Sequence, residues 1–290
     1  MKNIIKIILI LTILVSIYIN RPLVMVKVVS GMELWSKCVF PSVFPILIIS
    51  DFIMSTNLIK IVSDLLGFTF AKFFKVSKYA SYVFIMSMFS GCPANAKYIK
   101  DLYDNKVIGK NECVKILSMS LLYNPLLILS ITPFLSTFDS YFLIVTNIII
   151  NLAIGLINRN YKIDNITSDM KVKSFDLVNS ISNSINVLLL ILGSIIVFIT
   201  ISAIIPIDSP LIKGILEITN GIKLIGNSNY LYKYKLLFTG VLMGFSGFSI
   251  IIQIKSIFKD TKLDYSLFYK SRIMHIGLFM VIIYLRTLIN

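Results

Sequence analysis

The polar groups of this sequence that could do chemistry lie inside or beside long apolar runs. Asp51 follows the stretch Pro-Ile-Leu-Ile-Ile-Ser at 45–50 and precedes Phe-Ile-Met at 52–54. An ionisable side chain in an apolar layer is costly to bury, so it is a functional candidate by default. Asp51 could exchange a proton or bind a cation, or it could cap a helix at an interface. The sequence leaves both interpretations open.

Two short Ser-Gly motifs interrupt apolar runs 156 residues apart. Residues 88–93 read Met-Phe-Ser-Gly-Cys-Pro, and residues 244–249 read Gly-Phe-Ser-Gly-Phe-Ser. A helix that is broken inside a membrane exposes backbone N–H and C=O groups, which must face protein or a water-filled cavity. The helix that begins after the break points its positive end at the site, which suits an anion. Paired breaks of this kind are typical of transporter sites, and close packing between helices is the alternative.

The residues around the two motifs form the predicted binding set. Lys97 aligns with Gln253 in the register of the motifs. Lys97 could pair with a carboxylate or extend toward headgroups, and the serines could instead bond to backbone carbonyls. Asn124 lies in an apolar stretch and needs a partner, in substrate or in another helix. The substrate-binding candidates are Ser90, Gly91, Pro93, Asn95, Lys97, Asn124, Ser246, Gly247, Ser249 and Gln253, with Asp51 as the coupling candidate.

Motifs of other function classes do not occur in the sequence. It has no Walker loop, no HExxH, no GxSxG and no pair of carboxylates converging on one apolar run, so we expect neither an enzyme nor a bound cofactor. Cys38, Cys92 and Cys113 have no CxxC spacing, and His275 is the single histidine. We therefore expect no metal site and no disulfide framework.

The composition indicates the elements that must position these residues. Of 290 residues, 57% are hydrophobic and 14% are charged, and the mean hydropathy is +0.86. A soluble domain has about 25% charged residues, so a soluble protein is excluded and a polytopic membrane protein remains. The net charge of +14 comes from short Lys and Arg clusters between apolar runs. These clusters suit lipid headgroups rather than nucleic acid.

The apolar runs predict a single membrane domain over residues 1–290. The fold class is an all-α integral membrane protein with about eight spanning or re-entrant helices in two inverted repeats. We divide it into a first span at 1–21, a first repeat at 22–158, a polar connecting loop at 159–176 and a second repeat at 177–290. The run 116–138 is predicted to form one span, joined at Asp139 to the next. The run 177–207 is too long for one simple span and has a polar first half.

Several segments in order resemble a known family. These are Gly-Met-Glu-Leu-Trp at 31–35, Ser-Gly-Cys-Pro-Ala-Asn-Ala-Lys at 90–97, the second Ser-Gly motif, and Arg-Ile-Met-His at 272–275. Together they resemble the YlbJ (SpoVV) family of sporulation integral membrane proteins, which carry a nucleoside-recognition, or Gate, domain. The resemblance covers about residues 30–285. It implies an architecture similar to concentrative nucleoside transporters.

The resemblance also implies a function. Members of the family act in endospore formation and are implicated in moving dipicolinic acid across the outer forespore membrane. The expectation is therefore a bacterial membrane transporter for a small anionic aromatic acid, with dipicolinic acid as the expected cargo. The alternatives are a non-transporting scaffold for spore assembly and a Gate-domain transporter of a nucleoside-like solute. The expected partners are the solute and membrane lipids, and a homo-oligomer stays open.

Overall fold

The computed structural model describes residues 2–164, 170 and 174–289. Over these residues the secondary structure is helical, with no strand. Both internal gaps of this description fall in the polar connecting loop at 159–176. The helices are α1 (Lys2–Ile19), α2 (Arg21–Leu34), α3 (Phe40–Met54), α4 (Leu58–Phe74), α5 (Tyr79–Ser90), α6 (Ala94–Asp104), α7 (Lys110–Met119), α8 (Pro125–Ile131), α9 (Thr137–Ile157), α10 (Leu177–Ile204), α11 (Pro210–Leu216), α12 (Ile218–Gly226), α13 (Tyr232–Phe245), α14 (Gly247–Ile257) and α15 (Ser266–Ile289).

Long apolar helices dominate the described chain. A π-helical segment, Trp35–Val39, joins α2 to α3 without a break. Five stretches are long and apolar enough to cross a membrane, and α5 is a shorter apolar helix. The five stretches are Arg21–Met54, Thr137–Ile157, Leu177–Ile204, Tyr232–Ile257 and Ser266–Leu288. Because only helices and closed barrels satisfy the backbone in lipid, the prediction of an all-α integral membrane protein is confirmed at this level.

Two polar clusters mark the two sides of the bundle. On the first, here called the loop side, Lys115 Nζ donates to the carbonyls of Lys75 and Arg159 at 3.0 and 2.9 Å. The starts of α5 and α7 and the end of α9 therefore lie together. On the far side, Tyr232 donates to the Asp139 carboxylate at 2.6 Å, and Arg286 lies 3.5 Å from the same carboxylate. The starts of α9 and α13 and the end of α15 meet there.

Two pairs of helices form hairpins. The rings of Tyr82 in α5 and Tyr98 in α6 lie 6.1 Å apart, so the two helices pack side by side around a tip at 90–93. In the second pair, α11 and α12 approach so closely that a Cβ on Gly221 would lie 2.1 Å from Gly214 Cα. This hairpin has its tip at 216–218. None of these four helices is long enough to cross a membrane alone.

Two other helix pairs are interrupted and then continue toward the other side. Residues 120–124 are non-helical between α7 and α8, with the Leu122 N–H bonded to Ser120 O at 2.9 Å, so α7 begins on the loop side and α8 leads toward the far side. Ser246 separates α13 from α14. The prediction of one span over 116–138 is wrong, because the helix breaks at 120–124. Asp139 lies in the first turn of α9, where the Ser136 hydroxyl caps its N–H at 3.0 Å, and not in a turn between spans.

The long run after the polar loop forms a single helix, α10, of 28 residues. At 1.5 Å per residue it is about 42 Å long, more than the hydrocarbon thickness of about 30 Å. It runs antiparallel to α2 and α3, with Trp35 Nε1 donating to Leu188 O at 3.0 Å. Its polar first half therefore lies beside the end of α3 on the loop side, where Ser180 donates to Asp51 at 2.8 Å.

Candidate functional site

The tip of the α5–α6 hairpin is built against the interruption between α7 and α8. Gly91 has φ +75° and ψ −175°, and a Cβ there would lie 2.4 Å from the Asn124 backbone nitrogen. The Cys92 N–H donates to Leu122 O at 2.7 Å. The Asn124 amide donates to Phe89 O at 2.9 Å, while its oxygen accepts the Leu126 N–H at 2.8 Å. Backbone groups that neither helix satisfies are therefore paired across the contact.

The tip of the α11–α12 hairpin meets the interruption between α13 and α14 in a similar way. Ser246 and Gly247 have φ values of +80° and +77°. A Cβ on Gly247 would lie 3.3 Å from Ile218 N and 3.4 Å from Gly214 O. Only glycine adopts such a conformation without strain at so close an approach. Glu217 lies at the hairpin tip, 2% exposed, and its carboxylate accepts the Asn220 N–H at 2.7 Å.

Tyr123 joins the two interruptions. Its hydroxyl donates to Met243 O at 2.8 Å and lies 2.9 Å from Ser246 Oγ. Met243 is in the last turn of α13, where carbonyls have no partner within the helix. Tyr123 therefore satisfies the end of one broken helix from the non-helical segment of the other.

These four elements surround a small cavity, here called the inner cavity. Its volume is about 50 Å³, enough for a few water molecules at about 10–15 Å³ each. The polar side chains on its wall come from both halves of the chain. They are Ser90, Cys92, Tyr123 and Asn124 from the first half, and Glu217, Thr219 and Gln253 from the second.

Four helices begin at this cavity, and two of them have no side-chain cap. Asn124 caps α8 and Glu217 caps α12 with side-chain oxygens. No side chain caps the first turn of α6 or of α14. Each helix start carries partial positive charge. In α6 the Asn95 and Ala96 N–H groups bond to Gly91 O and Pro93 O at 3.4 and 2.9 Å, which leaves the N–H of Ala94, a residue on the cavity wall. The uncapped starts of α6 and α14 can therefore donate to a bound anion.

A larger polar cavity, here called the vestibule, opens on the loop side. Its volume is about 820 Å³. Lys97 forms ion pairs there with Asp51 of α3 and, at 3.1 Å, with Asp101, and Ser180 of α10 completes the network. The start of α10 lines the cavity with Asn179, Ser180, Asn183 and Asn186. Within the described ranges no three His, Cys, Asp or Glu side chains lie close enough to hold a metal ion.

The structure divides the predicted site residues among three environments. Ser90, Pro93, Asn124 and Gln253 line the inner cavity, whereas Asp51 and Lys97 line the vestibule. Gly91, Asn95, Ser246, Gly247 and Ser249 lie behind the wall of the inner cavity, where they form its backbone contacts or hydrogen bonds. Lys97 and Gln253, aligned by the sequence motifs, therefore occupy different cavities.

Two amides behind and beside the inner cavity keep unused oxygen atoms. Gln253 donates to Ser194 and, at 3.1 Å, to Ser249 Oγ. Asn95 donates to Ser120 O at 3.0 Å. The side-chain oxygens of both amides are buried and have no partner among the described residues. Gln253 lines the cavity, so its oxygen can accept a hydrogen bond from a ligand or water there.

Sequence reasoning missed Glu217 and the bridging role of Tyr123. Glu217 lies in a stretch with Lys213 and Lys223 nearby, which looks like a polar connection. No local signal marked this residue, because the residues favoured at a helix N-cap are Ser, Thr, Asp, Asn and Gly, and not Glu. The burial of this carboxylate depends on the hairpin, which composition does not indicate.

Comparison with known proteins agrees with the fold and with the sequence motifs. The chain is 25% identical over 297 aligned residues to the sporulation integral membrane protein YlbJ of Bacillus subtilis (strain 168), covering 84% of this chain and 73% of that protein. The resemblance to the YlbJ family is thereby confirmed. No family model matches the chain, and no solved structure matches it.

Proposed function

We propose that this relative of the sporulation integral membrane protein YlbJ carries a small anionic aromatic acid across a bacterial membrane. Dipicolinic acid is the expected cargo, and the outer forespore membrane is the expected location. One observation carries the proposal. Two hairpin tips and two helix interruptions meet around a single polar cavity, which lies next to a vestibule open to one side. Irregular backbone at membrane depth is tolerated only where protein or a water-filled cavity covers it.

The charge of the cargo follows from the helix starts around the inner cavity. The starts of α6 and α14 have no side-chain cap among the described residues, and Ala94 in the first turn of α6 lies on the cavity wall. An anionic carboxylate can accept from such groups and is stabilised by the helix dipoles. These helix starts are the feature that favours an anionic cargo, and the Glu217 carboxylate on the same wall is already bonded to Thr219 and to the Asn220 N–H.

The proposal includes two inverted repeats, but the segments that correspond between them differ from those that the two Ser-Gly motifs align. The α5–α6 hairpin enters from the loop side and corresponds to the α11–α12 hairpin, which enters from the far side. The interrupted helix α7–α8 runs toward the far side and corresponds to α13–α14, which runs back. The first Ser-Gly motif is then equivalent to the tip at Glu217, and the second to the segment 120–124. This register keeps the predicted repeat bounds of 22–158 and 177–290.

Alternating access then requires the hairpins to move. The inner cavity of about 50 Å³ is too small for an aromatic acid, so binding must enlarge it. The α5–α6 hairpin carries Lys97, whose ion pair with Asp51 fastens it to α3. Protonation of Asp51 would weaken this attachment, which gives the coupling candidate a specific role. Rocking of one repeat against the other around a fixed site is the general form of such transport.

Uptake of radiolabelled dipicolinate by reconstituted vesicles tests the proposal. Ser90→Ala and Lys97→Ala are expected to lower uptake per amount of folded protein in the vesicles, which is measured for each variant. Ser130→Ala is the matched control for Ser90, because its exposed hydroxyl also bonds within its own helix, at 2.8 Å to Leu127 O. Lys100→Ala is the control for Lys97, because Lys100 pairs with Asp104 on the same helix. Unchanged uptake in both test variants would overturn the site assignment.

Ligand-dependent thermal shifts separate the alternatives. A carrier of dipicolinate should be stabilised by dipicolinate, since a ligand that binds only the folded state raises its stability by mass action. A carrier of a nucleoside-like solute should respond to nucleosides instead. A non-transporting scaffold should respond to neither compound and should show no uptake.

A further inference from the structure

One arginine inside the helix bundle has no carboxylate partner. Arg272 in α15 is 2% exposed. Its Nη2 donates to Ser118 O at 2.9 Å, its Nη1 lies 3.1 Å from His275 Nδ1, and its guanidinium stacks on the Phe268 ring at 5.5 Å. Its Nε has no hydrogen-bond partner among the described residues. Among the described residues none of the ion pairs includes Arg272.

The neighbouring histidine does not share the charge. Arginine remains protonated and can only donate, so His275 Nδ1 accepts from it. Because Nδ1 accepts from Arg272, His275 is the neutral tautomer with its proton on Nε2. A full positive charge remains on Arg272. An unpaired charge inside a membrane domain is expensive, and such residues normally mark a functional pathway.

Arg272 lies directly behind the inner cavity. Ser118, its carbonyl partner, is two residues before the non-helical segment 120–124. On the other flank, α15 packs against the end of α13, where a Cβ on Gly244 would lie 2.9 Å from Ile276 Cα. Cys92 at the hairpin tip and Tyr123 in the segment 120–124 line the cavity, and the Cys92 N–H donates to Leu122 O in that segment at 2.7 Å.

The carboxylate on the cavity wall does not neutralise this arginine. Glu217 is bonded to Thr219 and to the Asn220 N–H at the start of α12 and forms no ion pair among the described residues. Satisfying the Ser118 carbonyl requires only a neutral donor. The positive charge itself is therefore unexplained by packing.

We propose that Arg272 is the fixed cation that makes the inner cavity select an anion. It acts as a positioning residue through the thin wall formed by Cys92 and Tyr123, without contacting the substrate. In the low-dielectric interior its field favours a bound carboxylate over a neutral group of the same shape. The inference rests on the proposed function and adds the element that distinguishes an acid from a nucleoside-like solute.

Binding of a matched pair of ligands to the purified protein tests this inference. The pair is dipicolinate and its neutral diamide, pyridine-2,6-dicarboxamide. Arg272→Gln keeps a donor for Ser118 O but removes the charge, and Arg272→Lys keeps the charge. Arg272→Gln should weaken dipicolinate binding at least tenfold, because each of the two carboxylates of dipicolinate, on the order of 10 Å away at an effective dielectric constant of about 20, contributes about a tenfold effect. Diamide binding should not change, and Arg272→Lys should recover most of the loss.

The control is Arg286→Gln, because Arg286 lies on the same helix but pairs with Asp139 on the far side. The inference would be overturned if Arg272→Gln weakened the binding of both ligands equally, or the binding of neither. The thermal midpoint of Arg272→Gln without ligand should equal or exceed that of the wild type, because the variant removes an unpaired buried charge. A clearly lower midpoint would assign Arg272 a structural role and overturn the inference for any ligand. Absence of dipicolinate binding to the wild-type protein would instead refute the proposed function.

Discussion

Gly91→Ala provides the sharpest test of the contact between the first hairpin tip and the interruption at 120–124. Gly91 has φ +75° and ψ −175°, a region that only glycine occupies readily, and alanine there costs about 1–3 kcal/mol. The new Cβ would lie 2.4 Å from Asn124 N and 3.1 Å from Tyr123 C. These are backbone atoms that cannot rotate away, so overpacking adds about 1–3 kcal/mol. Alanine also restricts the unfolded chain, which offsets about 0.4–1 kcal/mol.

The expected loss in the free energy of unfolding is therefore about 3 kcal/mol. Unfolding in detergent can be followed by fluorescence, because the sequence has one tryptophan, Trp35, bonded to α10. Gly193→Ala is the matched control, since Gly193 lies inside α10 and a Cβ added there would meet nothing within 4 Å. It should be stabilised by about 0.5–1 kcal/mol through helix propensity. A Gly91→Ala variant as stable as Gly193→Ala would refute the close contact.

Three further substitutions test other contacts. Tyr123→Phe should lower the free energy of unfolding by about 1 kcal/mol, because Met243 O keeps only the longer bond from Ser246 Oγ at 3.4 Å. Denaturant titration measures this, and an unchanged midpoint would contradict the bridge between the two interruptions. Lys97→Met should lower the free energy of unfolding by about 3 kcal/mol, because it leaves the Asp51 carboxylate without its cation. Adding Asp51→Asn should restore most of this loss. If the double variant were no more stable than Lys97→Met, the ion pair would be contradicted. Lys115→Met should speed hydrogen exchange around residues 159–161 more than elsewhere, because the carbonyls of Lys75, Arg159 and Tyr161 lose the donor that they share. An equal increase in exchange along the whole chain would contradict this role of Lys115.

Local composition was enough to predict the protein class and the positions of both Ser-Gly breaks. Gly91 and Gly247 both have positive φ, as expected where a glycine ends a helix. The interruption at 120–124 was missed because Leu-Leu-Tyr before Asn124 is as apolar as a helix core. Its backbone is held by Cys92 and Asn95 of the hairpin, which are about 30 residues away in sequence. Such partners are visible only once the helices are packed.

The two breaks look alike in sequence and behave differently in space. At Gly91 the chain turns back and forms a hairpin, whereas at Ser246 the helix continues toward the other side. Phe-Ser-Gly permits either outcome, because glycine only relaxes the backbone and does not choose the direction of the next helix. That direction depends on the surface against which the next helix packs. Lys97 therefore reaches the vestibule and Gln253 the inner cavity, although the motifs align them.

The sequence by itself determined that this protein is an all-helical membrane protein related to YlbJ, with polar groups at its helix breaks. It did so because lipid demands apolar helices, a requirement that acts on each segment separately. Only the tertiary structure decided that Glu217 lies at a buried hairpin tip, that Tyr123 joins the two interruptions, and that Arg272 stands unpaired behind the cavity. These features depend on which helices meet, and the free energy of burying a polar group depends on all its neighbours.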